Sequence, residues 1–195
     1  MRIMTAMTAI AASLALTACD QSAVNRTTDG RADGPPIPVA PPEEAVPPLS
    51  AQAFANTLAA GDAFEIATSR LAVDRAPTPS IKAFAQKMVD THTASTDRLK
   101  KDAGTLTPAI KPDPALTAEQ QKKLDALKAL TGTAFEQGYI ADQVAAHETA
   151  LGIVRTYAEN GDVPELKRFA VDAVQMVSEH LAEARRLATP TVGAI

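Results

Sequence analysis

The chain has 195 residues with 23 acidic and 19 basic side chains, 4% aromatic content and a single cysteine. Mild acidity, with no basic cluster, no Gly-rich phosphate loop and no interleaving of aromatic and basic residues, argues against nucleic acid as a partner. One cysteine rules out a disulfide within a monomer.

Residues 1–18 read as an export signal. Arg2 supplies the positive n-region, and Ile3 to Leu16 is an apolar run too short and too rich in Ala and Thr to span a bilayer. The signal ends in Leu16-Thr17-Ala18-Cys19, which resembles a bacterial lipobox. That resemblance implies lipidation of Cys19, which would become the mature N-terminus and hold the chain to the membrane by several acyl groups. The expected location is the periplasmic side of the cell envelope, and Asp20 resembles the inner-membrane retention signal of enteric bacteria. Residues 19–49 then form the lipidated cysteine and its tether, polar at first ("DQSAVNRTTDGRADG") and then proline-dense ("PPIPVAPPEEAVPPL"). Such a composition cannot bury a core and favours extended polyproline-like conformations. At about 3.1 Å per residue the tether could reach roughly 90 Å, serving as a spacer or as filler of unselected length.

From Ser50 the pattern becomes alanine-rich helical periodicity with almost no β-branched runs, so the domain at 50–189 is all-α, followed by a short tail at 190–195. Ser50 caps a first helix that "APTPS" stops near Ala76, with a seam at Phe54, Leu58, Gly61, Glu65, Thr68 and Ala72. Phe64, Ile66 and Leu71 mark a competing face on it. Thr78 and Pro79 open a second helix, whose seam Ile81, Ala85, Met88, His92, Ser95, Leu99 runs to about Asp102. A proline-broken connection leads into Thr117-x-x-Gln120, a capping box, and a short helix carrying Leu124, Leu127 and Leu130 before "TGT" interrupts it. The third long helix, about Ala134 to Glu159, places Ile140, Val144, His147, Leu151, Val154 and Ala158 on one stripe, and Gly161 is suited to a left-handed C-cap. Asp162 is the expected N-cap of the fourth, with the seam Leu166, Ala170, Ala173, Val177, His180, Ala184, Leu187. Two tight hairpins joined by a long crossover predict a ferritin-like four-helix bundle.

All three histidines fall on apolar stripes, each with a valine one turn earlier: Val89, Val144 and Val177. A di-iron or di-manganese bundle needs Glu-x-x-His there, so its bridging oxygens are missing. Counted from Gly161, His147 and His180 differ in depth by five residues, about 7 Å, which permits a shared middle layer but not a flat plane. Should His92, His147 and His180 meet, three imidazoles, with or without Glu65, suit a single zinc, copper or ferrous ion. Imidazole nitrogens more than about 7 Å apart could not share one ion. Asp90, Asp142 and Glu179 are candidates to orient the rings. The alternative is that each histidine is a buried polar residue that fixes helix register. Tyr139 and Tyr157 read as packing, and Met88 and Met176 as apolar filler that could also serve soft copper. No G-x-S-x-G, H-E-x-x-H or nucleophilic cysteine offers a catalytic group.

The stretches "IKAFAQKMVDTHTASTDRLK", "LTGTAFEQGYIADQVAAHETAL" and "LKRFAVDAVQMVSEHLAEARRL" resemble the exported bacterial proteins grouped as domain of unknown function 4142, over about Ser50 to Ala188. The resemblance implies a ferritin-like fold and an exported location. That family often carries acidic residues immediately before the second- and third-helix histidines, where this chain has Thr91 and Ala146. The expected function is a lipid-anchored envelope protein whose bundle is a non-enzymatic binding or stress-associated module. The alternatives are a metal-binding storage or redox protein built on the three histidines, and an interaction domain presenting its outer helix faces.

Overall fold

The computed structural model describes residues 49–189. The expected signal peptide, Cys19, Asp20, the expected tether up to residue 48 and the tail lie outside the described residues. The chain divides into two units, residues 1–43 and 44–195, and the second carries every helix described below.

Among the described residues five helices follow one another: α1 (Ala51–Arg75), α2 (Pro79–Gly104), the short α3 (Ala118–Ala129), α4 (Gly132–Asn160) and α5 (Pro164–Ala188). The four long ones form a four-helix bundle of two hairpins, α1–α2 and α4–α5. The crossover carrying α3 spans its length. Near its start, the Gln52 side chain donates to the Lys111 carbonyl at 3.0 Å and Asn56 accepts from the Asp113 amide at 3.0 Å. At its far end, Arg75 at the close of α1 donates to the carbonyls of Lys128 (3.1 Å) and Leu130 (3.0 Å). α4 therefore starts where α1 stops and runs antiparallel to it. Cross-helix ion pairs set the same relation between α2 and α5, Lys87 with Glu183 (3.0 Å) and Arg98 with Asp172 (2.6 Å).

Helix ends follow local chemistry. The Ser50 hydroxyl accepts from the Ala53 amide, and the Thr117–Gln120 capping box is complete in both directions. Thr78 precedes α2 but does not cap it through its side chain. Its amide and hydroxyl both donate to the buried Glu136 of α4, at 2.7 and 3.0 Å, which ties the two hairpins together. Gly161 departs from expectation: its φ is −60°, not left-handed. It must be glycine because a Cβ there would lie 2.5 Å from Cε1 of Tyr157 and 2.6 Å from the Tyr157 carbonyl oxygen. The left-handed glycine is Gly132, at φ +57°, the first residue of α4. Asp162 does not cap α5; its carboxylate accepts from the Tyr157 hydroxyl at 2.8 Å, and α5 opens on Pro164 after Val163.

The apolar interior has two parts. At one end Phe54 stacks on Tyr157, centroids 3.8 Å apart, among Leu99, Val154, Leu166 and Phe169. At the other, Phe84, Met88, Phe135, Tyr139, Ile140 and Ala184 pack together. Buried polar side chains separate them: Asp62, Glu65 and Thr68 of α1, His92 of α2, Gln143 and His147 of α4, and His180 of α5.

Candidate metal centre

Heptad-like spacing places one histidine on each of three seams, and packing brings all three to one level. Counted from the observed helix ends, His147 lies 13 residues before Asn160 and His180 lies 16 after Pro164, so the depth mismatch shrinks to three residues, about 4.5 Å. The ring centroids are 5.4 Å apart for His92 and His147, 5.3 Å for His92 and His180, and 5.5 Å for His147 and His180. All three are at most 2% exposed.

Hydrogen bonding assigns the two nitrogens of each ring different jobs. His147 Nδ1–H donates to the Gln143 carbonyl one turn back at 2.8 Å. His92 Nδ1–H donates to Asp62 Oδ1 at 2.8 Å, with Glu65 Oε2 at 3.0 Å. Thr91 Oγ1 donates to the Lys87 carbonyl at 2.7 Å, so at 3.5 Å it can only accept from His180 Nε2, a weak contact. Each ring is left with one buried nitrogen without a hydrogen-bond partner: Nε2 of His92, Nε2 of His147 and Nδ1 of His180. Buried polar nitrogens without a partner are uncommon because each forfeits its hydration without compensation. Three in one layer are therefore unusual.

One ring nitrogen from each histidine lies within 4.8 Å of those of the other two. Bonds of about 2.0 Å from one ion to three nitrogens need separations of about 3.3 Å, so the nitrogens must draw together by at most about 1.5 Å to share an ion. Asp62, Glu65 and His92 also present donor atoms within 4.8 Å of one another. Those carboxylates are already engaged: Asp62 Oδ2 accepts from Thr96 at 2.9 Å, and Glu65 spans the Nδ1 atoms of His92 and His147, the latter 3.3 Å from Oε1. Glu65, the fourth sequence-predicted residue, thus faces the backs of two rings.

Burial works to lower the His92 pKa, but the charge of Glu65 and the hydrogen bond and charge of Asp62 together outweigh it and raise the value from 6.5 to about 9. His180 moves the opposite way, down to about 3, through burial and then repulsion from His92, His147 and Lys87.

Of the residues expected to orient the rings, Asp90 accepts from Gln86 and Glu179 from Gln175, both on exposed surface. Asp142 makes no ion pair or hydrogen bond with a histidine among the described residues. Asp62 takes that part instead. The sequence carries a signal for it: between Ala51 and Ser69, Asp62 and Glu65 are the only charged residues, one turn apart. Tyr139 is buried and shares a hydrogen bond with Ser69 at 2.9 Å, as packing with a satisfied hydroxyl.

A four-helix bundle with a buried histidine and carboxylate layer is the class this chain defines. A model of the family described as "Domain of unknown function (DUF4142)" matches residues 38–187, and the chain belongs to that family. The sequence matches no curated protein. Among solved structures, the fold is similar to CopM in the Cu(II)-bound form, with a TM-score of 0.63 and 16% identity over 72% of this chain and 97% of that one. It is also similar to CopM in the Ag-bound form obtained by co-crystallization, with a TM-score of 0.61 and 18% identity over 74% and 99% of the two chains. At that identity the likeness is one of fold.

Proposed function

We propose that this protein is a metal-binding bundle of the cell envelope that holds one ion through His92 Nε2, His147 Nε2 and His180 Nδ1. The reading rests above all on those three buried nitrogens without partners, gathered from three helices. Neutral imidazoles suit borderline cations, and among divalent ions copper binds such donors most strongly, ahead of zinc. Asp62 and the Gln143 carbonyl hold the Nδ1–H of His92 and His147, and Asp62 and Glu65 supply negative charge beside the ion, as carboxylates behind metal-bound histidines do. The fold shared with CopM, solved in Cu(II)-bound and Ag-bound forms, favours this over the non-enzymatic module without metal. In this reading the export signal and lipidated Cys19 place the bundle on the periplasmic side of the membrane.

The test is elemental analysis of protein recovered from the periplasm, with Cu(II) and Zn(II) titrations of chelator-stripped protein. One ion per chain is expected, with nitrogen hyperfine structure in the Cu(II) EPR spectrum, and His147→Ala should lose it. Substoichiometric metal in the wild type, or undiminished uptake by a folded His147→Ala variant, would overturn the reading.

A further inference from the structure

Beside the histidine layer lies a cavity of about 300 Å³ between α1, α2, α4 and α5, with the first turn of α3 at its rim. Native interiors leave few voids larger than a water molecule. This one is kept open by small residues: Gly61 on α1, Ala145, Ala146 and Ala150 on α4, and Ala173 on α5 all line it. A Cβ built on Gly61 would meet nothing within 4 Å. The walls further out are apolar, with Leu58, Phe64, Ile153, Phe169 and Met176. The volume is roughly twice the 150 Å³ or so that holds a benzene molecule in an apolar protein cavity.

The two ends differ in character. At the rim Lys123 pairs with Glu119 at 3.3 Å, and Thr117 and Gln120 are used in the capping box, so the rim carries balanced charge on a fixed turn. The inner end is formed by Asp62, Glu65 and His92, two carboxylates facing one imidazole. Carboxylate oxygens accept about four hydrogen bonds between them, and Asp62 uses two, from His92 and Thr96. Acceptor capacity and negative charge at the end of an apolar pocket select a donor and reject an anion.

We propose that this cavity is a binding site for a small amphipathic molecule, with a single ring or short chain lying against Phe64, Ile153 and Phe169 and an amine or hydroxyl head donating to Asp62. The cavity shares His92, Asp62 and Glu65 with the proposed metal layer, but it is formed by the metal-free chain and its walls exclude His147 and His180, so the two readings can fail separately.

The experiment is a two-dimensional NMR titration of the chelator-stripped full chain with four probes of one size: phenethylamine, 2-phenylethanol, ethylbenzene and phenylacetate. Saturable shifts are expected at residues of α1, α4 and α5 around the cavity. The amine and the alcohol should bind about tenfold or more tighter than ethylbenzene, as a hydrogen bond to a charged acceptor implies, with phenylacetate weakest. Gly61→Leu fills the void from α1 and should abolish binding of every probe while leaving Cu(II) uptake intact. Ala150→Leu fills it from α4 should the first variant fail to fold. The proposal is overturned if no probe saturates, if phenylacetate matches the amine and alcohol, or if a folded, filled variant binds as well as the wild type. Loss of Cu(II) binding in His147→Ala with retained probe binding would support both readings; absence of Cu(II) in the wild type with probe binding intact would remove the metal reading and support the cavity alone.

Discussion

Replacing Glu65 with glutamine removes the carboxylate that spans two imidazoles while keeping its shape. In the metal-free protein His92 has a pKa of about 9 against 6.5 for a free histidine, which corresponds to about 3 kcal/mol of preference for the protonated ring in the folded state. Because the folded value is the higher, this stabilisation is complete below pH 6.5, declines as pH rises, and is gone above about 9. In Glu65→Gln only Asp62 remains to oppose burial, so the variant should lose about 2 kcal/mol at pH 6 and little or nothing at pH 9.5. His180 contributes with the opposite sign: its folded value is depressed to about 3, chiefly by burial, so its share is complete above pH 6.5 and declines as pH falls below that. Urea denaturation of stripped protein at the two pH values, followed by far-UV circular dichroism, measures the difference. An equal loss of stability at pH 6 and pH 9.5 would refute the argument that Glu65 acts through the His92 proton.

Metal binding must displace the proton that His92 holds, so apparent Cu(II) affinity should rise about tenfold per pH unit from 7 towards 9 and level off above, with about one proton released per ion in calorimetry run in two buffers. Affinity constant across that range would contradict it. Gly161→Ala forces a methyl group onto the Tyr157 ring and carbonyl, and should cost about 1–3 kcal/mol in thermal or urea denaturation; a neutral effect would show that the turn after α4 yields freely. Cys19→Ala should shift the protein from the membrane pellet to the supernatant on fractionation, and unchanged sedimentation would dismiss the lipid anchor.

The bundle was legible because its seams are written in a period close to 3.6: Phe54, Met88, His92, His147, Val154, Leu166 and His180 all occupy the interior positions that spacing gives them. Asp62 escaped a single-seam reading because α1 packs against both α2 and α4 and buries a broader face, including Ala55, Ala59, Asp62 and Ser69. The expected ring-orienting residues failed for a geometric reason. Successive helical residues turn by about 100°, so Asp90, two before His92, points roughly 200° away from it, and Glu179 diverges from His180 by about 100°. The Glu136 clamp on Thr78 and the Tyr157–Asp162 bond that displaces a capping interaction join groups whose meeting depends on how α4 is set in the bundle and on how the α4–α5 turn closes. Neither has a local pattern.

The polar layer that holds the histidines also divides the apolar interior into two cores, and each draws residues from all four long helices. Neither hairpin can complete a core by itself, so cooperativity in this domain must arise between hairpins rather than within them. The layer is the seam between two such units, where water would gain entry first. An ion bound there would join the two halves into one unfolding unit, so the steepness of the urea transition itself would report whether the protein is loaded.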